Sequence, residues 1–290
     1  MCWAAGRGSW GLCRLLGAQL GLVKFAAQRP HYEEGISHLR RAFPHWSKNA
    51  ARCIMRRTVQ NSAMCFFETA RLRTASTQEV RDYAQINGLE NYETQRDRGH
   101  GVILAAAHFG NLEMGGVRLA QEMALTAISL PVGCPKTQQM LEEMRRNAGI
   151  YVLHPTRSAR TIIDALSRGE AVALFGDHNS RQKDLTVPFF GYPRHVISSP
   201  AHLSYLTGAA LIPHFAVRRT PWLSDGSFDI QLRPALLATS ANARQTHIVE
   251  KTLGFHTELE NLLRLCPDQW YGWNLLRHSW QIESSHLSQS

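Results

Sequence analysis

The sequence predicts an α/β fold in which helices flank a mixed, largely parallel central sheet. The main observation is that short apolar, partly β-branched segments alternate with helix-like segments between residues 102 and 265. A second observation is that polar residues directly follow two of these segments, as they do where ligands bind at the carboxyl edge of a parallel sheet. The candidate strands are residues 102–107, 126–130, 150–153, 171–175, 211–217 and 228–232.

Residues 1–28 are expected to form a helix that lies in the membrane interface. Arg14 and Lys24 bracket the apolar stretch 15–23, which is too short to span a bilayer. Trp, Leu and Phe residues with interspersed bases suit a helix in the plane of the interface. An ordinary amphipathic helix packed on the rest of the protein is the alternative interpretation.

Residues 29–282 are expected to form the main domain, and residues 283–290 a frayed polar tail. Ser47 is expected to cap a long helix that ends near Arg73. The arginines of this helix flank an apolar stripe, so one face should be buried while the basic face either meets solvent or attracts membrane phosphates.

The remaining helices are predicted between the strands and before the C-terminal aromatic segment. Since strands and helices alternate, the helices should pack on the faces of the sheet. The candidate helices are residues 112–123, 137–148, 158–168, 199–207 and 244–265.

The stretch 101–116 contains the first candidate site. Its apolar strand ends at His108, a helix-like segment begins at Leu112, and Glu113 completes a His-x4-Glu spacing. If the turn brings Glu113 back to the imidazole, its carboxylate accepts one ring N–H and leaves the other nitrogen as a general base. The spacing is equally compatible with a histidine that caps the next helix beside a solvated glutamate.

A second polar block follows the strand at residues 171–175. Asp177, His178 and Arg181 lie just past its end, which is the edge where His108 lies if the sheet is parallel. Asp177 and His178 suggest a metal site, but no third ligand follows at a recognisable spacing, so no metal is expected.

Charge and cysteine usage limit the classes of partner. The 290-residue chain has 32 Lys and Arg against 23 Asp and Glu, a formal charge of +9, which favours an anionic partner such as a lipid headgroup or an acidic carrier protein. No nucleic-acid readout motif is present, so nucleic-acid binding is not expected. The six cysteines include no C-x-x-C pair and are expected to be reduced thiols.

Beyond these patterns, the segment H-F-G-N-L-E at residues 108–113 resembles the His-x4-Asp/Glu motif of the lysophospholipid acyltransferase superfamily, specifically its bacterial lipid A acyltransferase branch. The resemblance covers about residues 35 to 280 and implies a glycerolipid acyltransferase-like fold. It continues in order through I-N-G-L-E-N-Y, R-R-N-A-G-I, S-R-G-E-A-V-A-L-F-G-D, V-P-F-F-G-Y-P, L-T-G-A-A-L-I-P and C-P-D-Q-W-Y-G-W.

Transferred residue by residue, the resemblance places the catalytic pair of the family on His108 and Glu113. The aspartate after the next key strand falls on Asp177, and the F-F-G segment places Phe190 and Gly191 near the substrate. Leu112 departs from the tryptophan usual at that position, which bears on the identity of the lipid rather than on the catalytic pair.

The resemblance implies an O-acyltransferase. His108, held by Glu113, would take the proton of an acceptor hydroxyl as this hydroxyl attacks the thioester of acyl carrier protein or acyl-CoA, which is the co-substrate; no further cofactor is expected. Backbone N–H groups around Gly110 and Asn111 would stabilise the oxyanion.

The acceptor is expected to be a lipid A precursor or related glycolipid at the cytoplasmic face of the bacterial inner membrane. Three arginines, Arg157, Arg181 and Arg218, are candidates for phosphate contacts and otherwise surface charges.

Other acceptors and one other class of protein remain open. The same chemistry could act on a phospholipid, an ornithine lipid or a mannosylated lipid. A non-catalytic, basic membrane-binding protein is the alternative from another class, and it leaves the polar blocks after the two strands unexplained. The sequence has no G-x-S-x-G motif, which argues against a serine hydrolase of the α/β type.

Overall fold

The computed structural model of the chain describes residues 8–131, 133–154, 159–177, 185–220, 225–238, 243–276 and 280. Three helices come first: α1 (Trp10–Ala27), α2 (Arg29–Ala42) and α3 (Lys48–Leu72). The predicted cap of α3 is confirmed, since the Ser47 hydroxyl accepts a hydrogen bond from the Ala50 N–H at 3.1 Å.

Helices and strands then alternate along the chain, as predicted. Their bounds are α4 (Thr77–Tyr83), β1 (Ala84–Asn87), α5 (Leu89–Asp97), β2 (Val102–Gly110), α6 (Leu112–Leu119), β3 (Leu125–Ile128), α7 (Pro135–Asn147), β4 (Tyr151–Leu153), α8 (Ala159–Ser167), β5 (Ala171–Phe175), β6 (Leu185–Phe189), β7 (Tyr192–Val196), α9 (Ser199–Thr207), β8 (Ala210–Arg218), β9 (Phe228–Leu232) and α10 (Arg244–Leu265). Two short 3₁₀ turns follow, Pro267–Gln269 and Tyr271–Asn274.

Seven of the described strands form one sheet in the order β1-β9-β8-β2-β5-β3-β4. Every neighbouring pair is parallel except β8 and β9. The α/β fold with a largely parallel sheet and flanking helices is therefore confirmed. Strand β2 lies at the centre between β8 and β5, so its carboxyl end has a neighbouring strand on each side.

The sheet is buried on both faces, which explains why β2 and β8 are apolar over most of their length rather than alternating. Ile103 and Phe215 belong to the core on one face, together with residues of α10. Leu104 and Ile212 belong to the core on the opposite face, which α6 and α7 cover.

Helix α1 packs closely against α3 because two glycines lie at the crossing. A Cβ atom on Gly17 or Gly21 would overlap the backbone of α3 at Met64 or Gln60. The opposite face of α1 exposes a set of large apolar side chains: Leu12, Leu15, Leu16, Leu20, Leu22 and Val23. In the described part of the chain, no helix combines the length and the apolar character needed to cross a bilayer.

A separate antiparallel hairpin, β6–β7, was not predicted from the sequence. Phe190 and Gly191 form its two-residue turn, with φ angles of +49° and +79°, as in a type I′ hairpin. Pro188 and Pro193 face each other within it. Proline is rare inside strands, which is why the segment lacks a strand signature.

Candidate active site

The His108 ring is held by Asp177. Its Nδ1 lies 2.9 Å from Asp177 Oδ1, and its backbone N–H donates to Asp177 Oδ2 at 2.8 Å. Because a carboxylate can only accept, this contact requires a proton on Nδ1, so that Nε2 carries the lone pair whenever the imidazole is neutral. The His108 side chain is 28% exposed while that of Asp177 is 1% exposed, so the imidazole can be reached from outside the protein and the carboxylate cannot.

A third donor completes the surroundings of this carboxylate. Trp270 Nε1 donates to Asp177 Oδ2 at 2.9 Å, and the indole is fully buried. Burial alone would raise the pKa of Asp177, but the charge and hydrogen bonds of His108 and the N–H of Trp270 outweigh it. The pKa of Asp177 is therefore held below its ordinary range, and the group stays charged.

The sheet brings His108 and Asp177 together. Strands β2 and β5 are parallel neighbours, and Ala106 pairs with Phe175. His108 lies two residues after Ala106, and Asp177 lies two residues after Phe175, so both side chains lie at the same carboxyl edge of the sheet. The Phe175 ring stacks on the imidazole, with ring centroids 4.0 Å apart and planes within 8°, which fixes the orientation of the ring.

Glu113 has a different partner from the one that the His-x4-Glu spacing suggests. Its carboxylate accepts from both Nε and Nη2 of Arg145, the former at 3.0 Å. Arg145 also donates to the Ser129 hydroxyl at 3.3 Å. Glu113 lies in the first turn of α6 and is turned towards α7, where the guanidinium neutralises it. The predicted hydrogen bond between Glu113 and His108 is therefore wrong, and Asp177 takes that position.

The turn after His108 is tightly specified. Gly110 has φ +58°, and a Cβ there would overlap the Ala216 carbonyl oxygen. Asn111 is the N-cap of α6, accepting from the Met114 N–H at 3.1 Å. The structure thus places Gly110 and Asn111 directly beside His108, at the start of a helix, where backbone N–H groups favour negative charge. Their part in oxyanion stabilisation stays a prediction.

Helix α3 supports this turn from behind. Glu68 is fully buried and accepts from the side-chain amide of Asn111 at 3.2 Å. It also accepts two hydrogen bonds from Arg218, at 2.5 and 2.7 Å. A buried carboxylate is tolerated here because a bidentate guanidinium neutralises it.

Arg218 therefore cannot contact a lipid phosphate as predicted. Only 2% of the residue is exposed, and its guanidinium is directed into the protein towards Glu68. Burial would lower the pKa of Arg218, but the charge and hydrogen bonds of Glu68 overcome this and raise it. The sequence interpretation of a solvated strand end was wrong because the compensating carboxylate lies 150 residues earlier in the chain.

Phe190 and Gly191 have different environments. Phe190 is buried against Phe43 and Trp273, and its N–H donates to Glu260 at 2.6 Å. Gly191 is exposed in the hairpin turn. The contacts of Phe190 are those of a core residue, and the predicted substrate contact of the two residues stays a prediction.

The same hairpin supports Asp177. Arg194 of β7 is buried, and its guanidinium donates to the Asp177 carbonyl at 2.6 Å. The guanidinium also lies over the Phe189 and Trp270 rings. The F-F-G-Y-P segment thus stabilises the backbone of the acidic residue. Arg157 and Arg181, the other predicted phosphate contacts, lie outside the described residues.

An apolar cavity opens between the sheet and α6, and Phe175, whose ring stacks on His108, forms part of its wall. It encloses about 640 Å³ of space not filled by protein atoms, part of it open to solvent. The space exists because small residues line it, namely Ala106, Gly116, Ala127 and Ala173. Leu119, Leu125 and Ile150 line it farther in, while Glu113, Arg145, Ser129 and Phe175 line it at the carboxyl edge of the sheet.

The arrangement can therefore orient a base, exclude water from an apolar chain and present helix N–H groups to a developing oxyanion. Sequence reasoning placed His108 and Asp177 at one edge but missed the parts of Trp270, Arg145 and Glu68. Trp270 and Arg145 occur in segments that carried the resemblance, C-P-D-Q-W and R-R-N-A-G-I. Glu68 is an acidic residue inside an otherwise basic helix, which was the one signal available for it.

Comparison with known proteins identifies the family of the chain. A family model described as bacterial lipid A biosynthesis acyltransferase matches residues 12–273. A phosphatidylinositol mannoside acyltransferase of Mycobacterium tuberculosis is 28% identical over 162 residues, covering 54% of this chain and 50% of the relative. Thus the match spans about half the length of that relative.

Two relatives from Escherichia coli align over more of their length. The lipid A biosynthesis palmitoleoyltransferase is 25% identical over 219 residues, covering 73% of this chain and 69% of the relative. The lipid A biosynthesis lauroyltransferase is 23% identical over 207 residues, covering 69% and 66%. The family match includes the carboxyl edge of the sheet with His108 and Asp177, the three described N-terminal helices from Leu12 onwards and Trp270, and the chain belongs to the bacterial lipid A biosynthesis acyltransferase family.

Proposed function

We propose that this protein is an acyltransferase that moves a fatty acyl chain from a thioester to a hydroxyl of a lipid A precursor or related glycolipid. The observation that carries the proposal is the contact between His108 and the buried, charged Asp177 at the carboxyl edge of the sheet. Such a contact orients an imidazole to accept a proton. Family membership supplies the class of reaction.

In the proposed reaction, His108 Nε2 takes the proton of the acceptor hydroxyl while the oxygen attacks the thioester carbonyl carbon. Asp177 stabilises the imidazolium that forms, and N–H groups around Gly110 and Asn111 stabilise the oxyanion. When the tetrahedral intermediate collapses, the carbon–sulfur bond breaks and the imidazolium returns the proton to the thiolate. An ester and a free thiol result, and no acyl-enzyme is needed.

Glu113 has a supporting part in this proposal. Its ion pair with Arg145 lines the edge of the cavity and connects α6 to α7. Loss of the Glu113 charge would leave a partly buried guanidinium without its partner, which disturbs the cavity edge rather than the basicity of His108. Replacement of Glu113 should therefore cost less activity than replacement of Asp177.

The cavity is the proposed site of the acyl chain. It follows α6 from Leu112 to Leu119, a length of roughly 10 Å at the rise of an α-helix. Since an extended chain advances about 1.2 Å per bond, this depth suits a medium-length acyl chain. The donor is an acyl carrier protein or coenzyme A thioester, and the chain's positive charge favours such acidic partners.

Peripheral membrane association is proposed for α1. Its exposed face carries five leucines and one valine, and Lys24 is exposed near its end, a combination that suits the membrane interface. Because thioester donors are made in the cytoplasm, the cytoplasmic face of the inner membrane is the proposed location.

A mannosylated lipid is the second candidate acceptor, because the phosphatidylinositol mannoside acyltransferase matches at 28% identity. We favour the lipid A class since the two lipid A relatives align over more of this chain. Phospholipids and ornithine lipids remain in the acceptor panel, and a non-catalytic membrane-binding protein is the alternative from another class.

The test is an acyl transfer assay with the full chain in detergent. Labelled acyl carrier protein and acyl-CoA donors are combined with a panel of the acceptors above, and the products are identified by mass spectrometry. The wild type is compared with His108→Ala, Asp177→Asn and Glu113→Gln. His108→Ala and Asp177→Asn should each lower kcat by about 100-fold or more, and Glu113→Gln by clearly less.

Each outcome decides a different part of the proposal. Activity that survives in His108→Ala would show that His108 is not the general base. A greater loss of activity in Glu113→Gln than in Asp177→Asn would show that Glu113, and not Asp177, is the carboxylate that supports His108. Vesicle binding by a folded chain that transfers no acyl group to any acceptor would favour the non-catalytic alternative.

A further inference from the structure

The wall of the apolar cavity contains one buried histidine that the proposed reaction does not use. His214 lies in the middle of β8, paired with Ala106 on one side and Leu232 on the other. Only 3% of the residue is exposed, and it lines the cavity. Its ring interacts with the backbone of Gln231 in the neighbouring strand, although Nδ1 makes no hydrogen bond of good geometry within the described part of the chain.

Helix α6 passes over the Cε1–Nε2 edge of the imidazole with no side chain between them. A Cβ atom on Gly115 would lie 3.1 Å from both Cε1 and Nε2 of the ring, so a glycine is the residue that avoids tight contact there. Gly116, the next residue of α6, lines the cavity, and a Cβ there would meet Ile150 at 3.5 Å rather than His214. Gly115 therefore leaves the Cε1–Nε2 edge free of side-chain contact, and Gly116 widens the cavity.

Other polar side chains that line the cavity satisfy one another. Glu113, Arg145 and Ser129 form a connected set of hydrogen bonds at the carboxyl edge. The remaining described lining is alanine, glycine, leucine, isoleucine and phenylalanine. An unsubstituted acyl chain in this space would cover His214 without offering it a hydrogen bond, and a buried polar group without a partner is costly.

A hydroxyl group matches the hydrogen-bonding capacity of this ring. Burial lowers the pKa of His214 to about 4, so the imidazole is neutral near pH 7, with one nitrogen as donor and the other as acceptor. A hydroxyl can serve as either partner. A carboxylate or phosphate would instead need a cation, and the one cation in the described lining, Arg145, is already paired with Glu113.

We propose that the cavity selects an acyl chain that carries a hydroxyl group, and that His214 is the specificity-determining residue that binds it. The inference rests on the proposed function, because it assumes that the cavity receives the acyl chain. His214 is level with Ala106, two residues before His108, or roughly 7 Å along the strand. At about 1.2 Å per bond, this places the hydroxyl in the first half of the chain.

The test measures binding separately from catalysis. A fluorescent fatty acid bound to the full chain in detergent is displaced by dodecanoic acid and by dodecanoic acids with a hydroxyl on the second, third or sixth carbon. The wild type should bind at least one hydroxylated acid about tenfold more tightly than the unsubstituted acid. His214→Phe should abolish this preference while it retains binding of dodecanoic acid.

Two further variants guard against misfolding and general disturbance. Gly115→Ala retains His214 but covers its edge, and it should also reduce the preference. His256→Phe is the matched control, because His256 is 1% exposed and has no ring hydrogen bond within the described residues, yet it does not line the cavity. That variant should keep the preference of the wild type.

Equal binding of all the acids by the wild type, or a preference that survives in His214→Phe, would overturn the inference. If no fatty acid displaces the probe, the cavity is not an acyl site and the inference also fails. An acyl transfer assay with thioesters of the same acids tests the proposed function independently of this inference. Equal transfer of hydroxylated and unsubstituted chains would refute the part given to His214 while the acyltransferase itself stands.

Discussion

At the scale of single residues, the site depends on a carboxylate that is buried and still charged. Asp177 accepts hydrogen bonds from the His108 backbone, the His108 ring and the Trp270 indole. Without the Trp270 N–H, Asp177 and therefore the His108 ring should be held less firmly, while His108 itself stays in place. Trp270 is therefore a positioning residue, since its effect on the reaction passes through Asp177.

Trp270→Phe should lower kcat by about tenfold, because a charge-assisted hydrogen bond is lost. Trp273→Phe is the matched control: this indole is equally buried, but it donates to the Pro267 carbonyl instead. Thermal unfolding and steady-state kinetics of both variants distinguish the roles. Both should lose similar stability, and only Trp270→Phe should lose kcat. A similar kcat for the two variants would make Trp270 merely structural.

Because the pKa of Asp177 is lowered in the folded protein, the free energy of unfolding depends on pH in the acid range. The unfolded aspartate has a pKa near 3.9, above that of the folded state, so the unfolded chain takes up the proton first as the pH falls. The stabilisation is complete above about pH 4 and is lost progressively at lower pH. Urea unfolding should show the difference in unfolding free energy between wild type and Asp177→Asn shrinking below about pH 4. A difference that is constant into this range would contradict the assignment.

At the scale of secondary-structure elements, the strand-to-helix turn at Gly110 depends most on one residue type. The positive φ and the nearby Ala216 carbonyl oxygen both exclude a side chain. At most other positive-φ glycines a Cβ atom would meet no neighbour, so glycine is favoured there only by the backbone conformation. The turn carries the residues beside the base, and its geometry therefore matters for both folding and activity.

Gly110→Ala should destabilise the protein by clearly more than Gly149→Ala. Gly149 also has a positive φ, of +77°, but a Cβ there has no neighbour within 4 Å, so its replacement costs only the left-handed strain of about 1 kcal/mol. Denaturant unfolding measures the loss of unfolding free energy in each variant. The difference between the two losses is the cost of the overlap with the Ala216 carbonyl oxygen. Equal losses would show that the turn can relax.

Most helices and strands could be predicted because their own sequence contains the signal. The apolar runs of β2, β5 and β8 identify buried strands, and Ser47 identifies the start of α3. The hairpin could not be predicted, because its proline-containing strands and the positive φ of Phe190 go against local preference. Contacts with Trp273 and Phe43 overcome that preference.

The partner of His108 depends on strand order, which local spacing does not reveal. Glu113 is five residues away in sequence, yet it lies on a helix that carries its carboxylate towards Arg145. Asp177 is 69 residues away, yet it occupies the neighbouring strand end in register. The edge of the site was thus predictable from the strands, and the pairing within it was not.

At the scale of the whole molecule, the exposed face of α1 extends from a helix that is firmly fixed to the domain. Gly17 and Gly21 allow backbone contact with α3, and the Arg14 guanidinium donates to the Tyr83 hydroxyl at 2.5 Å. The apolar side chains therefore form a surface in a defined orientation relative to the sheet. A membrane that binds this surface would meet the catalytic domain in one orientation.

Replacement of Leu15, Leu16 and Leu20 together by glutamine should reduce binding to anionic vesicles by about tenfold or more. Flotation assays measure binding, and the melting temperature should change little because these side chains are already exposed. The matched control replaces Leu237 and Leu265, which are also exposed but lie far from α1 in sequence. Loss of binding in the control variant alone would place the membrane surface elsewhere.

The buried pair of Glu68 and Arg218 also constrains how this protein can diverge. Removal of either charge leaves the other uncompensated in the interior, which costs about 3 to 5 kcal/mol, a large fraction of the stability of a typical domain. Replacement of both by apolar residues of similar volume is far less costly. Descendants of this sequence should therefore retain both residues or lose both, and a lineage with only one should carry a compensating change near Asn111 or Tyr83.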